Sequence, residues 1–228
     1  MSSIHTGAVF NSGPLLRLLE LTIRSQESRG MVSLDDEIAR FDRTNHYSAV
    51  ATWNMPTSSS AALLELVADL LEEQPGYPVP SGFRERLDRA ADGMAGPDYL
   101  RILAGLLRFR AREGPMSFRL LPPAAWEVEC LFPLLRGFGD VWLSTGDHPD
   151  HASAVDSRVR NEHPTSCYED LAALAAEAQT ALFLFPEPER MAAALKPILF
   201  WVSPDRLRQL LDAATAHIAE HHKGSRRA

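Results

Sequence analysis

Between residues 60 and 74 the apolar side chains Leu63, Leu66, Val67, Leu70 and Leu71 recur at the i, i+3, i+4, i+7, i+8 spacing. That spacing places them on one face of an amphipathic helix. Ser58, Ser59 and Ser60 offer N-caps, and Pro75-Gly76 stops the helix. The end of the chain repeats the pattern: Ser203 caps, Pro204 takes the first turn, and Leu207, Leu210, Leu211, Ala214 and Ile218 share a face. Further helices are predicted over 14–28, 33–41, 83–94, 97–112, 124–135, 165–183 and 187–202. The box Ser33-x-x-Asp36 opens the second of these, and Pro197 should kink or end the last.

Strand patterns are short and few: 47–53, 116–120 and 140–143. They suit a small sheet or buried extended connectors. The apolar runs 181–185 and 198–202 are too short for periodicity to assign. The expected fold class is therefore mainly α, a helical bundle-like domain with at most a few short strands. A stiff proline-rich connector spans 75–82, and a second break spans 139–164. One domain over 1–228 is expected, with 139–164 as the place where two lobes would part. No repeat of solenoid period is present.

Composition narrows the class of protein. A chain of 228 residues, 45% hydrophobic and 23% charged, has the make-up of a folded globular protein with a sizeable core. The net charge of −7 disfavours nucleic acid as the main partner, although a local basic patch would still allow it. Lys196 and Lys223 are the only lysines, and this arginine- and alanine-rich usage points to a high-GC bacterial source. Cys130 and Cys167 stand alone, without zinc-finger spacing, which suits a reducing compartment. The N-terminal stretch lacks the pattern of a signal peptide, and no apolar run is long enough for a transmembrane helix. A cytoplasmic location with no membrane partner is expected.

The densest candidate chemistry follows the apolar run at 140–143. Asp147, His148, Asp150 and His151 combine imidazole and carboxylate donors, the ligand set that suits zinc, manganese or iron. Thr145, His148, Asp150 and His151 also fall on fixed positions of the first metal motif of the metallo-β-lactamase fold. The stretch resembles that motif, with Gly146 standing where its first histidine would be. The resemblance implies metal-dependent hydrolysis on a β-rich scaffold. The alternative for the same loop is a solvated connector in which Asp147 or Asp150 caps a following helix.

Arg158 and His163 have the spacing of the catalytic pair of the HEPN family of helical ribonucleases, which this segment resembles. The resemblance implies charge stabilisation by the arginine and proton transfer by the histidine. Val159 and Pro164 depart from the polar, helical surroundings of that pair. His148 and His151 complete the catalytic candidates of this loop.

Arg101, Arg108 and Arg112 fall on one face of the helix expected over 97–112, a basic stripe able to receive an anion. His217 and His221 stack one turn apart near the C-terminus, where the helix dipole favours them. Phosphate-loop, zinc-protease and nucleophile-elbow motifs are absent. At least one of the four tryptophans is expected half exposed at a pocket or partner surface.

The leading expectation is a binding, accessory or regulatory protein without cofactor, acting through protein–protein or small-ligand contacts. Its partner would be another protein or itself. The alternative is a metal- or His-dependent hydrolase, a nuclease included, centred on 147–163 and carrying a divalent metal.

Overall fold

The computed structural model describes residues 9–48, 55–140, 148–162 and 167–221. Among them the chain forms eleven helices and no strand, so the fold is mainly α. The helices are α1 (Pro14–Glu27), α2 (Leu34–Tyr47), α3 (Thr57–Glu73), α4 (Ser81–Ala91) and α5 (Gly96–Glu113). They continue with α6 (Ala125–Leu131), α7 (Pro133–Phe138), α8 (His151–Glu162), α9 (Cys167–Leu184), α10 (Pro188–Leu195) and α11 (Pro204–His221). None among the described residues is long and apolar enough to cross a membrane. The chain divides into two compact units, Met1–Leu121 and Pro122–Ala228.

In the first unit α3 and α5 make the most extensive helix pair. They run antiparallel: Arg108 of α5 pairs with Glu65 of α3, whereas the earlier Arg101 pairs with the later Asp69 and Glu72. Small residues let the two backbones approach. Ser60, Ala61, Leu64, Val67 and Ala68 are buried on α3, opposite Leu100, Leu103, Ala104 and Leu107 on α5. The buried arc of α3 is thus not the stripe predicted from periodicity. Leu66, expected in the core, is 64% exposed, while Leu64 is fully buried. Leu15, Leu18 and Leu19 of α1, Phe41 of α2 and Phe83 of α4 complete this core.

The segment 116–120, predicted as a strand, is a turn. The amides of Leu120 and Leu121 return to the Ser117 carbonyl, so they have no ladder to join. Arg43 of α2, fully buried, takes the neighbouring carbonyls: its Nη1 donates to Met116 O (3.2 Å) and Leu121 O (2.8 Å). The guanidinium also lies 3.8 Å from the centre of the Phe118 ring, a cation–π contact. Of the other two strand predictions, Tyr47 belongs to α2 and Asp140 continues the helical path beyond α7. Residues 49–54 and 141–147 lie outside the described ones.

In the second unit α9 and α11 pack together, with α8 against α11 and α7 against α9. The helix predicted over 124–135 is two helices. Pro133 has no amide hydrogen and disfavours helical backbone at the preceding residue, and Phe132 accordingly sits at φ −133° between α6 and α7. Glu177 of α9 reaches the start of α7, where its carboxylate accepts the amides of Leu134 (3.0 Å) and Leu135 (2.9 Å). Burial pushes the Glu177 carboxyl up to about 7, against the pull of those two amides.

The helix predicted over 187–202 stops at Leu195, ahead of Pro197, and turns carry the chain to α11. The apolar run 198–202 lies in those turns, whereas 181–184 is the last turn of α9. Trp201 is buried and donates from Nε1 to Leu135 O at 3.2 Å. Gly139 lies directly against that indole: a Cβ there would come within 2.4 Å of Nε1.

Candidate functional site

The first unit holds a cleft of about 470 Å³ where α2 ends, α3 begins and α5 ends. This volume lies within the range of roughly 300–1,000 Å³ usual for small-molecule sites. The last turns of α2 contribute Asp42, Asn45 and His46. Their i, i+3, i+4 spacing sets all three on one face. The entry to α3 contributes Met55, Pro56, Thr57 and Ser58, and the lining is completed by Ala111 in the last turn of α5 and by Gly114 and Pro115 just after it.

Two side chains give the cleft its chemistry. Asp42 is 8% exposed, and the Thr57 hydroxyl donates to its Oδ1 at 2.5 Å. Among the described residues that hydroxyl is its one side-chain donor, and no lysine or arginine lines the cleft. Thr57 opens α3, so the positive end of that helix offsets part of the carboxylate's charge. Asn45 stands one turn on. Both of its amide atoms, Nδ2 and Oδ1, are shielded from water and make no hydrogen bond. A buried amide left in that state costs about 1–3 kcal/mol for each unsatisfied group. Rotation of the side chain toward the cleft gives up no hydrogen bond, because there is none to lose. His46 is exposed at the rim, its ring edge-on to Tyr47 at 4.7 Å.

None of the candidates named from the sequence is among the described residues that line the cleft. Asp150 is exposed and caps α8: its carboxylate accepts the Ser153 amide at 2.7 Å, and its carbonyl accepts the Ala154 amide at 3.2 Å. His148 is half-buried just ahead of it. His151 and Arg158 belong to α8 by their backbone, but their side chains lie outside the described structure. Asp147 and His163 lie wholly outside it. Among the described residues no group of three His, Cys, Asp or Glu side chains is placed to hold a metal.

The arginine stripe meets acidic partners. Arg101 donates to Asp69 and Glu72, and Arg108 holds Glu65 through both terminal guanidinium nitrogens, Nη1 and Nη2. An anion would have to displace those carboxylates to reach either arginine. Arg112 is exposed. His217 and His221 stack with ring centres 4.6 Å apart. The two described tryptophans, Trp126 and Trp201, are both buried, and Trp53 and Trp142 lie outside the described residues.

Sequence reasoning missed the cleft because it ended the second helix at Phe41. Extending that helix to Tyr47 is what brings Asp42, Asn45 and His46 onto one face. The spacing Asp-x-x-Asn-His was the available signal. Set against known proteins, the chain matches no family model, no curated protein and no solved structure.

Proposed function

We propose that this chain acts by binding, and that its first unit takes a small hydrogen-bonding ligand in the cleft between α2, α3 and α5. The observation that carries this reading is the Asn45 amide, buried in the cleft wall with donor and acceptor both unsatisfied. Folded proteins satisfy nearly all such groups, and ligand sites are a recurrent exception. Once the side chain turns toward the cleft, a bound molecule presenting an acceptor beside a donor would satisfy both atoms at once. The protein then serves as an accessory or regulatory component that responds to the ligand. Two isolated cysteines and the near absence of lysine support a setting in the reducing cytoplasm of a high-GC bacterium.

The test is a thermal-shift screen of small amides, nucleobases and amino-acid derivatives against the wild type and Asn45→Leu. Binding stabilises the folded state in proportion to ligand occupancy, so hits should raise the wild-type Tm and leave the variant unmoved. A library without hits, or hits that stabilise Asn45→Leu equally, would remove the reading.

A further inference from the structure

Resting on that reading, we infer that the ligand is a small organic cation, a protonated amine bearing an amide or similar group, with its charge on Asp42 and its amide on Asn45. The charge balance of the cleft leads there. Asp42 is more than nine-tenths buried, and a hydroxyl is its one side-chain donor among the described residues. A buried carboxylate ordinarily has a cationic partner or several donors. Among the described residues no arginine or lysine lines the cleft, and His46 stands exposed at its rim without an ion pair to Asp42.

The backbone adds to the imbalance. Two helices finish at this cleft, α2 at Tyr47 and α5 at Glu113, and each presents a negative dipole end. One helix begins there, α3 at Thr57. The helix ends at the cleft therefore sum to a negative contribution, which disfavours an anion. Asn45 lies one helical turn from Asp42, so a molecule with a cationic head and an amide a few bonds away spans both groups. Met55, Pro56 and Pro115 offer apolar walls for whatever carbon framework joins them.

Amino-acid amides, from glycinamide to phenylalaninamide, carry this pair of groups. Their N-acetylated counterparts keep the carboxamide and lose the charge. Calorimetric titration of both series at neutral pH against wild type, Asp42→Asn and Asn45→Ala separates the possibilities. The charged amides should bind wild type at least about tenfold more tightly than the acetylated ones, the margin expected of a charge-assisted hydrogen bond. Asp42→Asn should abolish that preference, and Asn45→Ala should weaken both series. Equal binding of the two series, or a preference that survives Asp42→Asn, would overturn the cationic assignment and leave the binding reading standing. Absence of binding by both series together with an empty screen would overturn both. The comparison of the two series on wild type decides the question even if Asp42→Asn fails to fold.

Discussion

The Thr57 hydroxyl donates to Asp42 Oδ1 at 2.5 Å, joining the first residue of α3 to the later turns of α2. This bond gives the carboxylate its one side-chain donor among the described residues. Thr57→Val keeps the shape and removes the donor. The expected loss is about 1.5–3 kcal/mol, the range for a hydrogen bond to a charged group. Urea denaturation measures it; a change inside 0.5 kcal/mol, roughly the scatter of neutral surface substitutions, would show that the carboxylate is satisfied in another way.

Asn45 should behave in the opposite sense. Asn45→Leu replaces two unsatisfied polar atoms with an apolar side chain of similar size, a change that is neutral or stabilising by about 1 kcal/mol. The empty variant should thus match or exceed the wild type in denaturant while losing the ligand response. Marked destabilisation would mean that the amide supports the fold.

Glu177 makes stability depend on pH. Burial raises its folded carboxyl to about 7 from 4.5. The native state then holds more protons than the unfolded chain between these values, so stability falls as pH rises through that window. This contribution is complete below about 4.5 and gone above about 7. Glu177→Gln cannot titrate and should lose this part of the slope. Denaturant titrations of both proteins at the two ends of the window would show it, and identical slopes would contradict the assignment.

The phase of α3 is open to direct test. Leu64→Ala empties a fully buried position and should cost about 2–5 kcal/mol. Leu66→Ala, at a 64% exposed position, should stay within about 0.5 kcal/mol. Comparable losses at the two positions would indicate the arc drawn from periodicity.

Gly139 should tolerate no side chain. An added Cβ would lie 2.4 Å from Trp201 Nε1, so Gly139→Ala must push the indole off its bond to Leu135 O. Overpacking of this kind costs about 1–3 kcal/mol. A shift in tryptophan fluorescence should accompany the loss; a variant as stable as wild type with an unchanged spectrum would contradict the contact.

Local information placed most of the helices, but α8 (His151–Glu162) lies inside the stretch 139–164 expected to be a break, and α2 runs past its expected end at Phe41. Period, capping residues and prolines are read within a few residues of one another, and they placed α1, α3, α5 and α11 to within a few positions. Pro197 limits the helix that precedes it, because the missing amide acts on its own turn. Tertiary structure decided which face each helix buries. On α3 apolar residues cover much of the circumference, and the burial of Ala61, Leu64, Val67 and Ala68 leaves Leu66 outside. The segment 116–120 has strand-like residues, but Arg43, more than seventy positions earlier, takes the Met116 carbonyl within it and the Leu121 carbonyl just beyond it. The cleft is likewise non-local. Asp42 and Asn45 acquire their environment only when α3 begins and α5 ends beside them, and the burial that makes a carboxylate and an amide informative comes from those neighbours rather than from their own helix.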